Sequence, residues 1–197
     1  MALPKTDRDA QHDVSPLILH RWSPRAFQPV AIPQGDLLSL LEGARWAPSA
    51  SNGQPWRFVY AHRGSEDFDR LIGTLMPGNA VWAKNASALL YLLSSDVRDT
   101  DDGPKPQPTH SFDAGAAWAH LALQAAEMGY SAHAMAGYDN DAARAALGLP
   151  DHIHVEVAIA IGRRAEADQL PDHLKAREQP SDRAPVADFA FSGRWPA

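Results

Sequence analysis

The chain contains no cysteine, which excludes a disulfide framework, a thiol nucleophile and a zinc module built on thiolates. Positive charge is not in excess: 18 Lys and Arg stand against 24 Asp and Glu, and the net charge of −6 disfavours a nucleic-acid surface. No apolar run approaches the ~18 residues that a membrane span needs. The start, MALPKTDRDAQHD, is too polar for a signal peptide, so the cytoplasm is the expected compartment. Neither G-x-G-x-x-G after a strand nor G-x-x-x-x-G-K-[ST] occurs, so a Rossmann dinucleotide fold and a P-loop are unsupported.

What is present is a chain of 197 residues with 45% hydrophobic content, enough for one domain around a sizeable core. Residues 1–15 are polar and proline-bearing and read as a flexible N-terminal arm, leaving 16–197 as a single domain. Pro33 is a natural first helical residue, and Leu37, Leu38, Leu40, Leu41 and Ala44 follow at helical spacing. Trp56–Ala61 alternates like a strand, and Ser65 caps a short helix that Met76-Pro77-Gly78-Asn79 should end. Ser87–Leu93 is a continuous apolar run, best read as a buried strand.

Residues 95–110 are acidic and proline-rich, which argues against a packed element and leaves a mobile flap or a disordered surface loop. Asp113–Met128 is Ala-rich and apolar nearly all round, the pattern of a central buried helix. SAHAM predicts a short strand that turns at Ala136–Asp139 into a helix, and His154–Gly162 predicts a central strand. The tail carries Pro171, Pro180, Pro185 and Pro196, too many interruptions for a compact unit, and suits a wrapping segment. These patterns predict an α+β fold, with helices on both sides of a mainly antiparallel or mixed sheet.

Three constellations could carry chemistry. The loop WAPSASNGQPWRF, Trp46–Phe58, sets small polar side chains and open backbone N–H groups between two apolar elements, and reads either as a site or as a capped helix end plus a turn. In RWSPRAF, Pro24 disfavours helix, so Arg21, Ser23 and Arg25 alternate along an extended segment and point the same way. That edge is either an anion cradle of forked donors or a solvated basic turn. His152 and His154 share a strand face but lack further ligands for zinc, and Ser49 lacks the G-x-S-x-G elbow of a hydrolase.

The order RWSPRAF, LLEGARWAPSASNGQPWRF, MAGYD and PSDRAP resembles the FMN-dependent nitroreductase family over most of residues 16–190, the first two motifs being the specific ones. The resemblance implies a domain-swapped homodimer whose C-terminal tails embrace the partner, with FMN at the interface and NAD(P)H as co-substrate. It assigns Arg21 and Ser23 from the first motif, and Arg183 from the tail, to the phosphate, with Ser181 at a phosphate position of the family and Trp22 among the cofactor-binding residues. Arg25 falls to the ring edge, Asn79 to the pyrimidine edge, and Ala136 and Gly137 to the backbone facing N5. Pro48, Ser49, Ala50 and Asn52 match the loop that reaches the flavin of the other subunit. Ser181 stands where many relatives have Lys or Arg, Trp82 where some have Lys, and Ala136 where some have Glu. The implied activity is hydride transfer from NAD(P)H to a nitroaromatic, quinone or related acceptor. Dehalogenation, and a flavin-binding dimer without turnover, remain alternatives.

Overall fold

Each residue of strand β2 (Ala88–Ser95) is buried, because both of its faces are covered by helices. This is the structural consequence of the unbroken run ALLYLL. The structure, a computed structural model, describes residues 6–196. β2 lies between β1 (Trp56–His62) and β6 (Ile153–Gly162), and β5 (Ser131–Met135) completes the sheet in the order β1-β2-β6-β5. All three pairings are antiparallel.

Pleating sends alternate β2 residues into two cores. Leu89, Tyr91 and Leu93 join Phe68, Leu71 and Trp82 on one side, with α3 (Glu66–Ile72), α4 (Pro77–Ala83) and α6 (Asn140–Leu147). Ala88, Leu90 and Leu92 join Leu37, Leu40 and Leu121 on the other, beneath α2 (Gln34–Arg45) and α5 (His110–Glu127). α5 is the long buried helix expected, and Asp113 in its first turn is 4% exposed, favourably placed against the helix dipole. The capping residues expected for α3 and α6 are in place: Ser65 accepts from Phe68 N and Asp139 from Ala142 N.

Two local expectations are corrected. Met76–Asn79 does not simply end α3: Pro77 opens α4 as a first-turn proline, whereas Pro33, expected in that role, stands one residue before α2 as its N-cap. Residues 95–110 are not free of packed structure, since β3 (Val97–Arg98) and β4 (Lys105–Pro106) pair as a small hairpin and Gln107 is buried. The Gln107 amide donates to the carbonyls of Ser95 and Val97, replacing bonds that a proline-rich strand cannot make.

The sheet has one irregularity. Leu92 pairs with Val157 and Leu93 with Val155, so Glu156 is an extra residue in β6. Such a bulge redirects its side chain, and the Glu156 carboxylate accepts from Ser94 Oγ and Ser111 Oγ.

The termini meet on one side. α1 (Pro16–His20) precedes the extended motif, and α7 (Asp172–Lys175) tucks Leu174 into the core at 6% exposure. Residues 181–196 are exposed throughout. Residues 6–15 run beside them, and Val186 N donates to Gln11 Oε1. The part of the expected arm before residue 6 lies outside the described residues. No described helix is long and apolar enough to cross a membrane.

Candidate active site

The extended segment from Arg21 to Phe27 is held at three points. Phe27 forms an isolated antiparallel bridge with Arg164, continuing the line of β6. Gly162 permits this approach, since a Cβ there would fall 2.9 Å from Phe27 Cδ1 and 3.1 Å from Ser87 Oγ. The backbone N–H groups of Arg25 and Ala26 both donate to Glu178 Oε1, at 2.7 and 2.8 Å. His133 Nδ1 lies 2.9 Å from Pro24 O. A carbonyl only accepts, so Nδ1 carries the proton and the Nε2 lone pair is left. Burial, together with Arg25 and Arg21, pushes His133 down to about 4, so the ring is neutral at pH 7.

Held in this way, Arg21, Ser23 and Arg25 line one cavity of about 460 Å³, as their alternation predicted. Trp22 lines it too, and from the far end of the chain Ser181 and Arg183 join them. Five arginines border the cavity, and no carboxylate among the described residues does. Arg21 is held below its usual value by burial first, then by Arg8 and Arg183. A cluster of cations raising one another's energy in a partly dry cleft attracts a multiply charged anion.

Arg25 sits slightly apart. Its Nη1 lies 4.0 Å from Glu178 Oε2, and that oxygen is buried with no hydrogen-bond partner among the described residues. The pair leaves the Arg25 charge only loosely engaged.

Asn79, Ala136 and Gly137 form a second cluster. Asn79 Nδ2 donates to Gly137 O at 2.9 Å, and Met76 N donates to the same oxygen at 3.1 Å. A Cβ on Gly137 would stand 2.5 Å from Asn79 Nδ2, so only glycine admits this clamp. Gly137 N–H has no protein partner among the described residues.

The third cluster stands apart from both. Pro48–Asn52 packs toward the α5 start, where Ala50 N donates to Asp113 Oδ2 and Ser51 O faces Arg98. None of Pro48, Ser49, Ala50 and Asn52 lines the arginine cavity. Ser51, Asn52 and Gln54 all have positive φ, at 50°, 52° and 44°. Non-glycine residues in that region cost on the order of 1–3 kcal/mol each, and such strain concentrates at binding loops.

Three residues carried no signal in sequence. Arg8, Glu178 and His133 each act on the cavity through contacts more than a hundred positions away in the chain. Trp82 is 1% exposed between Phe27 and His133 and offers no cation. Its Nε1 is unpartnered among the described residues. His154 pairs with Asp96 at 2.8 Å, and no group of three or more metal-ligating side chains is found among the described residues.

The family model described as Nitroreductase family matches residues 18–88 and 74–163. The chain belongs to the nitroreductase family. A solved structure described as an oxidoreductase containing FMN shares 50% identity with it, covers 98% of each chain and superposes with a TM-score of 0.94. Among curated proteins, NADH dehydrogenase of Thermus thermophilus is 28% identical over 191 residues, 82% of this chain and 91% of that one. An uncharacterised 15.4 kDa protein of Mycolicibacterium smegmatis is 32% identical over 148 residues, 71% of this chain and 97% of that one. The antiparallel sheet and its two helical layers are therefore the nitroreductase fold, and the chain carries the oxidoreductase character of that family.

Proposed function

We propose that this nitroreductase-family chain binds FMN and works as an NAD(P)H-dependent oxidoreductase. The observation that carries the proposal is the cavity bordered by five arginines with Ser23 and Ser181, and by no carboxylate among the described residues. Its donor set suits a phosphate monoester, which needs fixed cations and hydroxyl donors. A relative of 50% identity whose description names FMN supports the same cofactor.

The chemistry that FMN supplies when bound is hydride exchange, from NAD(P)H to N5 and on to a nitroaromatic, quinone or related acceptor in a ping-pong cycle. The protein's contribution is to hold and tune. Arg21, Ser23, Ser181 and Arg183 hold the phosphate, with Trp22 walling the cavity. Arg25 places positive charge toward the ring edge, with Glu178 fixing the backbone beneath it. Asn79 fixes the Gly137 carbonyl, and the Ala136-Gly137 peptides so held would offer their backbone to the ring.

The site is completed in a homodimer. Loop Pro48–Asn52, remote from its own chain's arginine cavity, faces the flavin of the partner. The tail that bears Val186, Phe189, Phe191 and Trp195, each at least 38% exposed, covers the partner's surface. Trp46, 69% exposed just past the end of α2, and Phe112, 81% exposed on α5, form part of the same contact.

Absorbance tests the proposal directly. The purified protein is expected to be yellow, to bleach on anaerobic addition of NADH or NADPH, and to recover its colour with a nitroaromatic or quinone. Colourless protein that takes up no added FMN refutes it, and yellow protein that neither nucleotide bleaches leaves a flavin carrier without turnover.

A further inference from the structure

The N-terminal arm makes a contact that the nitroreductase match, which begins at residue 18, does not cover. Arg8 lines the arginine cavity. Its guanidinium is pinned on one side: Nε donates to Ser181 O at 2.9 Å, and Nη1 to Leu19 O at 3.1 Å and Arg21 O at 2.8 Å. A guanidinium has five N–H donors, so these bonds engage Nε and Nη1 and leave both hydrogens of Nη2. Nη2 has no hydrogen bond among the described residues, and Arg8 forms no ion pair with a carboxylate among them.

The arm is also fastened on either side of Arg8. Thr6 N and Oγ1 meet His20 Nδ1 at 3.3 and 3.2 Å, and Gln11 Oε1 accepts from Val186 N at 3.1 Å. Arg8 therefore lies where arm, first motif and tail converge. Burial and Arg183 hold its pKa below the usual value, with Asp182 opposing, so the guanidinium is crowded by like charge. Planar donors fixed on one edge and open on the other match the oxygens of a dianionic phosphate.

We propose that Arg8 is a third guanidinium of the phosphate cradle beside Arg21 and Arg183, and that the bound monophosphate fastens the arm to the tail. This rests on the FMN reading for the identity of the ester, while its own content is that the anion contacts Arg8. Arg21 and Arg183 repel Arg8 in the empty cradle, and an anion among the three turns that repulsion into attraction. Anion binding and closure of residues 6–15 are then linked, each strengthening the other.

The test titrates full-length wild-type, Arg8→Ala and Arg8→Lys proteins with FMN and with riboflavin, which lacks the phosphate, following flavin fluorescence. Arg8→Ala is expected to weaken FMN binding about tenfold, the lower end for a lost charge-assisted hydrogen bond, and to leave riboflavin binding unchanged. Arg8→Lys is expected to recover part of the loss, because it restores the charge without the fork. Tryptic cleavage after Arg8 gives a second measurement: FMN and inorganic phosphate should slow it in wild-type protein, and riboflavin should not.

Unchanged FMN affinity in Arg8→Ala overturns the inference and leaves the FMN reading standing. An equal loss for FMN and riboflavin also overturns it, making Arg8 a structural clip alone. Wild-type protein that binds no FMN, yet is protected by inorganic phosphate, refutes the cofactor and keeps the Arg8 anion contact. Protein that responds to neither probe refutes both.

Discussion

Acidification should weaken the fold through His133, whose half-buried imidazole packs against Trp82 and donates to the Pro24 carbonyl. Its pKa falls from 6.5 to about 4 in the folded chain, chiefly because burial penalises the imidazolium, while Arg25 and Arg21 oppose a further positive charge. Below pH 6.5 the unfolded chain binds a proton that the folded chain refuses. The contribution of neutral His133 is thus complete above pH 6.5, shrinks as pH falls and is gone below about 4. At about 1.4 kcal/mol per tenfold change in proton affinity, the gap corresponds to about 3 kcal/mol.

For a chain of this length that amounts to about 6–12 °C in Tm. The assay compares thermal unfolding of wild-type and His133→Gln from pH 7.5 to 4 in phosphate-free buffers, since phosphate would occupy the arginine cavity. Glutamine can still donate to Pro24 O but does not titrate, so the variant is expected to be less stable at pH 7.5 and to lose its deficit as the pH falls. Two curves that stay parallel over the whole range would refute the reasoning, and His133 would then be hydrated or already charged in the native state.

Two further outcomes concern the cofactor and the assembly. Arg21→Ala and Arg183→Ala should each weaken FMN binding by about 1.5–3 kcal/mol, the range for hydrogen bonds to charged groups, and Arg21→Lys should restore only part. Flavin retained after dialysis measures this, and undiminished retention in both alanine variants rejects the cradle. If, as proposed, tail and loop Pro48–Asn52 serve the neighbouring subunit, deleting residues 186–197 should give protein that is monomeric or aggregated and also colourless. Light scattering read with flavin absorbance across one chromatographic peak decides it, and a yellow monomer of normal stoichiometry would return the loop to its own chain.

Much of the architecture is legible in the sequence because its signals are local. The run ALLYLL reads best as a strand covered on both faces, and the Ala-rich α5 as a packed helix, and the structure has both. RWSPRAF reads as one edge of three side chains because Pro24 keeps it extended, and period two does the rest. Local signals also mislead. Gly78 and Asn79 after Pro77 look like a turn, whereas the proline starts a helix whose remaining residues are apolar. In the 95–110 segment the prolines argue against a ladder, and the Gln107 side chain that substitutes for it has no local pattern. Glu178 is least visible of all: a lone acid in a proline-broken tail, it receives two amides from a motif at the other end of the chain.

The position of β6 in the sheet bears on how the chain is made. This last strand of the sheet to be synthesised pairs with both β2 and β5, and Leu90, for example, pairs with Tyr60 of β1 but meets its other neighbour, Ile159, only once β6 is made. Until that segment leaves the ribosome, β1 and β2 form at most a two-stranded ribbon whose apolar inner edge is open, the kind of species that aggregates or engages chaperones. Pairings so distant in sequence also close slowly. The bridge from Phe27 to Arg164 and the Glu178 contact to Arg25 and Ala26 can form only afterwards. During biosynthesis the anion cradle is therefore the last part of the subunit to take shape, and a cofactor offered to the nascent chain would find nothing to hold it.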